Sequence, residues 1–295
     1  MPMPIRSWLF VPGDSEKKLG KAPSTGADVL IVDLEDAVAP QAKEAARGTT
    51  REWLNGERGT DAAYQRWVRI NPLDTDLWRD DVGAVMGGAP AGLVVPKAAG
   101  PQQLSALAAM LEQEEARHGL AAGSTQLLPL VSETAASALT MATYADPENA
   151  QPRLLGLTWG AEDLSAAIGA VRKRDDRGRW TDLFRIVRAQ TLLTAHAAGV
   201  AAIDTLHADF RDMDGLRRVA RDGYGDGFAG MLAIHPAQVA IINEAFSPSA
   251  DELANAQAIV DAFEANPGVG ALQLDGKMID QPHFEQAKKL LARAE

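Results

Sequence analysis

Residues 28–36 read D-V-L-I-V-D-L-E-D, an apolar run that ends among three acids. Its length and β-branched content are those of a strand buried on both faces. Past its end Leu34 packs, while Asp33, Glu35 and Asp36 reach toward the carboxyl end of the strand. Working outward, runs of the same shape recur at Ser7–Val11, Trp67–Ile70, Gly92–Pro96, Gln126–Val131, Leu154–Trp159, Val200–Thr205 and Gly230–Ile234, making eight with Asp28–Asp33. Helical periodicity fills the intervals, as in Gln102–Arg117, where Leu104, Leu107 and Leu111 oppose Gln, Glu and Arg, and in Leu183–Ala198. Repeated strand–helix units with buried strands imply a parallel sheet, and eight of them favour a closed α/β TIM barrel, (β/α)8, over an open doubly wound sheet.

That barrel is expected over residues 1–245, and the chain changes character after it. Phe246-Ser247-Pro248-Ser249 reads as a break followed by an N-cap, and Ala250–Glu264 as an amphipathic helix. A loop (266–270), a short segment Ala271–Asp280 and a helix Pro282–Ala294 complete an extension, 246–295, too small to stand as a domain. It is read as a cap on the barrel or a reach toward a neighbouring subunit.

With 295 residues, 46% of them hydrophobic, the chain can build one large core. A net charge of -11 opposes broad affinity for nucleic acid or anionic membrane, while leaving room for a local basic pocket that takes a small anion. The absence of cysteine excludes disulfides, thiolate metal sites and cysteine nucleophiles. The opening M-P-M-P-I-R-S-W-L-F has no leader pattern, so the cytoplasm is the expected location. The weakly charged stretch Gln126–Tyr144 contains Pro129 and Glu133 and reads as strand, turn and helix, not as a membrane span.

Barrels of this kind carry their chemistry at the carboxyl ends of the strands. There stand Asp14, then Asp33, Glu35 and Asp36, then Arg69 and Asn71, Lys97, Glu133, Glu162 and Asp163, Asp204 and His207, and finally His235. Glu133 and Asp163 follow adjacent strands, so their carboxylates can converge as hard oxygen ligands for Mg2+, which often takes only one or two protein carboxylates. They read equally well as helix caps or first-turn acids. Arg69, inside an apolar run, needs an anionic partner: a substrate oxyanion, an ion pair with Asp33, Glu35 or Asp36, or both. Those three acids would hold Arg69 and metal-bound water in place. Lys97 reads as an ion-pair partner rather than a Schiff-base amine, and His118 and His196 as ordinary helix residues. Arg172-Lys173-Arg174 with Arg177 and Arg179 reads as a solvated loop, with contact to a large anionic ligand as the other option.

The motifs R-S-W-L-F-V-P-G-D (6–14), D-L-E-D-A-V-A-P (33–40), V-R-I-N (68–71), V-P-K (95–97), S-E-T-A (132–135), G-A-E-D-L (160–164) and A-I-H-P-x-Q-V (233–239) together resemble the citrate lyase β-subunit-like family, which includes malyl-CoA and citramalyl-CoA lyases. The resemblance implies Mg2+-dependent cleavage of a 3-hydroxyacyl-CoA thioester into an acyl-CoA and a 2-oxo acid, with Mn2+ as a substitute metal. It also implies Glu133 and Asp163 as metal ligands, and Arg69 as the group that binds substrate and steadies enolate charge. The main chain around Glu162 and Asp163 would receive the 2-oxo acid carboxylate. Phe10 and Lys21 match positions on the CoA side, and Ile234 and His235 a further substrate-contacting pair. Ser15 stands where the family commonly has a basic residue, with Lys17 and Lys18 nearby as substitutes. In the extension, Gly276-Lys277-Met278-Ile279-Asp280 resembles the family's lid motif, which implies Asp280 as an acid/base serving an adjacent subunit of a homotrimer or hexamer. From the residues alone Asp280 reads as an N-cap. Two neighbouring readings stand beside it: a malyl-CoA-type thioesterase with the same metal site, and the β-subunit of a citrate lyase whose thiol sits on an acyl carrier protein.

Overall fold

The computed structural model describes residues 5–56 and 63–292, so the end of the helix expected at Pro282–Ala294 lies outside the described residues. All eight apolar runs form strands: β1 (Ser7–Pro12), β2 (Val29–Asp33), β3 (Gln65–Arg69), β4 (Gly92–Val95), β5 (Gln126–Pro129), β6 (Gly156–Thr158), β7 (Ala201–Asp204) and β8 (Gly230–Ala233). They pair in parallel in the order β5-β4-β3-β2-β1-β8-β7-β6. The ring closes between β5 and β6 through two isolated parallel bridges, Leu127 to Leu154 and Leu130 to Thr158. This is the TIM barrel, with helices in the connections.

The seam is clamped from outside its ladder. Arg153, whose carbonyl accepts the Leu127 N–H at 2.7 Å, forms a buried two-pronged pair with Glu115 at 2.6 and 2.8 Å. Burial works against the Glu115 charge, but Arg153 and the Thr125 and Gly123 N–H groups outweigh it and hold the carboxyl down at about 2. Glu115 therefore leaves the polar face on which the helical periodicity put it. Its helix is Leu104–His118, with Leu104, Leu107 and Leu111 buried as expected. The helix expected at Leu183–Ala198 spans Asp182–Ala197.

Alternation along the strands decides what the barrel interior holds. Trp8, Ile31, Trp67, Val94, Leu128, Ile203 and Leu232 form one buried cluster, with Trp8 and Trp67 edge to face at 4.9 Å. Gly92 makes room for it: a Cβ there would lie 2.5 Å from the Trp67 ring. Two residues further along β1, β2 and β3, the same parity brings Phe10, Asp33 and Arg69. Asp33 stands directly opposite Arg69 in the β2–β3 register.

The chain divides between Asn243 and Glu244 into two compact units. Taken by itself, the second holds a helix, Ala250–Glu264, with a reciprocal Ser249–Glu252 capping box. A hairpin follows, β9 (Ala271–Leu274) and β10 (Lys277–Asp280), and then the helix Gln281–Ala292. Asp275 (φ 49°) and Gly276 (φ 77°) supply the two left-handed residues of its turn. The hairpin is an addition to the helices the pattern signalled. Ile279 packs with Ala256, Ile259, Val260 and Phe263, which makes β10 part of this small core. Among the described residues no helix is long and apolar enough to cross a membrane.

Candidate active site at the barrel mouth

The register that sets Asp33 opposite Arg69 builds the first half of the site. Arg69 donates from Nε to Asp33 Oδ1 at 2.8 Å and from Nη2 to Oδ2 at 2.6 Å. Its Nη1 lies 2.9 Å from Glu35 Oε2 at an angle that misses hydrogen-bond geometry. The guanidinium stacks over Phe10, 4.7 Å from the ring centre. Burial acts to strip the Arg69 charge, but Asp33, Glu35 and Glu133 outweigh it, so Arg69 is held protonated above its ordinary range. Asp33 is itself fixed by the N–H groups of Glu35 at 2.9 Å and Ala37 at 3.2 Å. Both sequence alternatives for Arg69 thus start from a real ion pair, formed with Asp33 and Glu35. Asp36 faces outward and meets Lys97 at 3.9 Å.

Lys97 joins the two halves. Its Nζ binds Glu35 and stands 3.7 Å from Asp163 Oδ1, an ion-pair role and not that of a free amine. Its backbone has φ 50°, uncommon for a residue with a side chain, and in that conformation its N–H donates to Glu133 Oε2 at 2.5 Å.

Glu133 is 2% exposed. Its carboxyl is pushed up to about 8, first by burial and then by the Asp163 charge, against the Lys97 N–H and Arg69. It forms no ion pair among the described residues. Nor does it cap the helix that follows: Thr134 does that, accepting the Ser137 N–H at 3.1 Å in a capping box. Asp163 lies in the first turn of the helix Ala161–Ile168, with Glu162 beside it. Gly160, just before that helix, lets the two halves approach: a Cβ there would meet Glu133 Cγ at 2.7 Å and Oε1 at 2.8 Å.

Other strand-end residues turn to different tasks. Asn71 is buried against Asp81 and the Leu34 carbonyl, at 2.7 and 3.1 Å. Asp204 accepts from Trp159 Nε1 at 2.8 Å and Arg188 Nε at 2.9 Å, tying two strands to a helix. His207 is buried 3.4 Å from Asp212, with burial first and Arg174 second lowering its pKa. Glu162 is half exposed and binds Lys173. His235 stacks on Phe210 at 4.9 Å, and its Nδ1 accepts the Ala237 N–H, which leaves the proton on Nε2. Ile234 beside it is exposed, as is Lys21 at the start of the turn Ala22–Thr25. His118 Nε2 lies 3.3 Å from Glu114 Oε2 without hydrogen-bond geometry, and His196 Nε2 lies 3.2 Å from the Gly227 carbonyl.

In the second unit Asp280 is paired with His283, Oδ1 to Nδ1 at 2.5 Å. That pairing is the i, i+3 spacing of D-Q-P-H (280–283), a signal the sequence reading passed over along with Gly160 and the positive φ of Lys97.

The HpcH/HpaI aldolase/citrate lyase family model matches residues 6–236. A (3S)-malyl-CoA thioesterase of Cereibacter sphaeroides is 36% identical, over 99% of this chain and 95% of its own length. The mitochondrial citramalyl-CoA lyase of Rattus norvegicus is 32% identical, over 99% of this chain and 86% of its own. Among solved structures, Mycobacterium tuberculosis CitE in complex with magnesium, acetoacetate and coenzyme A superposes with a TM-score of 0.78 at 34% identity, covering 98% of this chain and 97% of that one.

Proposed function

From the premise that this chain belongs to the HpcH/HpaI aldolase/citrate lyase family, we propose that it is a Mg2+-dependent carbon–carbon lyase cleaving a 3-hydroxyacyl-CoA thioester into an acyl-CoA and a 2-oxo acid. The observation that carries the reading is the approach of Glu133 and Asp163 across Gly160, in front of an arginine anchored by Asp33. Burial first and the Asp163 charge second drive the Glu133 carboxyl toward protonation, and a hard divalent cation held between the two carboxylates would offset both. No described cluster of three or more His, Cys, Asp or Glu offers a richer donor set, and Mg2+ needs none. Once bound there, the ion supplies Lewis acidity to the oxygen that becomes the keto group.

The chain's own groups account for the rest. Main-chain N–H groups at Glu162 and Asp163, in the first turn of a helix, receive the carboxylate of the 2-oxo acid. Cleavage moves the carbon–carbon bonding pair onto the α-carbon of the thioester as the hydroxyl proton passes to solvent water. Negative charge then grows on the thioester oxygen. Arg69 commits at most three of its five N–H groups to Asp33 and Glu35, which leaves two to meet that charge. Asp280, oriented by His283, delivers the proton to carbon from an adjacent subunit of a cytoplasmic homotrimer or hexamer. Phe10 and Lys21 serve the CoA side, and Ile234 and His235 the substrate.

A second reading, hydrolysis of a malyl-CoA-type thioester at the same metal site, is favoured by the thioesterase relative. Incubating a panel of 3-hydroxyacyl-CoA thioesters with Mg2+ and following products by mass spectrometry separates the two. A 2-oxo acid with acyl-CoA is the expected outcome; free CoA with an intact hydroxy acid establishes hydrolysis instead. Activity only when the acyl group rides on a carrier protein would point to a citrate lyase β-subunit.

A further inference from the structure

In the second compact unit, taken by itself, the end of β10 meets the first turn of the helix Gln281–Ala292. Ile279 is buried in the small core there, and Phe284 packs on Phe263 with ring centres 5.1 Å apart, so Asp280 and His283 are held between two anchored side chains. The Asp280 N–H donates to His283 Nδ1 at 3.3 Å, while Asp280 Oδ1 stands 2.5 Å from the same nitrogen. Two bare acceptors that close would repel, so a proton lies in the short contact. A nitrogen that accepts the main-chain N–H cannot also donate, which puts that proton on the Asp280 carboxyl; moved across, it makes a carboxylate and an imidazolium. In both forms the two side chains hold one proton between them. We propose that His283 supplies Asp280 with the proton it delivers, so that the acid at the α-carbon is the pair and not the carboxyl alone, an inference that rests on the lyase reading above.

An aspartate in water has a pKa of about 3.9, which leaves roughly one in a thousand protonated at neutral pH, too few for an acid that must be protonated before every turnover. Imidazole, titrating at about 6.5, keeps a proton in that range. The His283 side chain is 45% exposed, so water reaches the ring. Of the other charged groups in the described part of this unit, among them Asp261 and Glu264 on its first helix, Asp275 and Lys277 on the hairpin and Glu285 and Lys288 on its last helix, none forms an ion pair with Asp280 or His283. In cleavage the Asp280 O–H bond breaks and a C–H bond forms with the electron pair of the enolate. A proton from water then enters through the imidazole and restores the pair, matching the hydroxyl proton that has passed to water. The competing role is a helix cap, because glutamine or glutamate three residues into a helix commonly accepts the N–H of the residue before it, as His283 does. A cap has no need of a titrating ring.

The pH profile of kcat for cleavage at saturating Mg2+ separates the two roles. His283→Gln keeps an acceptor for the Asp280 N–H and removes the ring. It should lower kcat at neutral pH about tenfold or more while KM stays within about twofold. The alkaline limb should move down by about one pH unit or more, because cleavage needs the proton and a carboxyl alone loses it sooner. His283→Ala should be slow in the same way, with kcat restored by free imidazole that leaves Asp280→Asn inactive. Should His283→Gln lose melting temperature, His283→Ala with and without imidazole compares rates within one fold. A wild-type kcat and alkaline limb in His283→Gln, or a His283→Ala rate that imidazole does not raise, would overturn the proposal and leave the lyase reading standing. Absence of a 2-oxo acid product from every thioester offered to the wild-type chain would overturn both.

Discussion

Glu133 couples burial, charge and metal in one side chain. A carboxyl whose folded value stands at about 8, above the ordinary 4.5, favours the protonated folded state. The unfolded chain ionises first as pH rises, so this group's contribution to stability is complete below about 4.5 and is lost as pH climbs toward 8. The metal-free protein should therefore lose melting temperature across that window, and Glu133→Gln should flatten the loss. Because the cation must displace the proton, Mg2+ affinity should rise about tenfold per pH unit until the group is ionised. A pH-independent Kd by titration calorimetry would remove Glu133 from the metal site. Gly160→Ala pushes a methyl into the Glu133 carboxylate, a clash expected to cost about 1–3 kcal/mol in stability and most of the Mg2+-dependent turnover. The acids and Arg69 were legible in the sequence because strand ends announce themselves. Gly160 was not, since its importance is a distance to a residue 27 positions away.

At the scale of elements, the weakest join in the barrel is the β5–β6 seam, held by two bridges and by the Arg153–Glu115 pair behind them. Removing one partner of a buried pair leaves the other charge stranded, so Glu115→Ala should cost about 3–5 kcal/mol, measured by denaturant unfolding. In the intact protein the depressed Glu115 carboxyl contributes stability above about 4.5, and that contribution is lost as pH falls toward 2. Periodicity put Glu115 on a solvated face because it counts polarity along one helix and cannot register an arginine arriving from another segment. The hairpin β9–β10 occupies the short segment Ala271–Asp280, to which helical periodicity assigns no element, although Asp275-Gly276 is a strong two-residue turn signal. Asp280 ends that hairpin beside His283. Asp280→Asn should abolish turnover while leaving 2-oxo acid binding by calorimetry unchanged, and full activity in that variant would remove Asp280 from the reaction.

At the scale of the whole molecule, the proposed homotrimer makes a complementation test possible. Glu133→Ala and Asp280→Asn chains, each inactive alone, should regain part of the activity when mixed under exchange conditions, because each supplies what its neighbour lacks. Persistent inactivity in verified mixed oligomers would confine Asp280 to its own subunit or to no catalytic role. The sequence by itself determined the eight strands, their parallel wrapping and the side chains at their carboxyl ends, because hydrophobic periodicity and strand termini are local properties. Tertiary structure decided the rest. It turned Asn71 and Asp204 from the mouth into the scaffold, joined Arg69 to Asp33 and Lys97 to Glu133, and gathered arginines of a seemingly solvated loop around one cavity. Each of these depends on desolvation and on approach between distant segments, and the energy of a charge is set by what surrounds it in space, not by its neighbours along the chain.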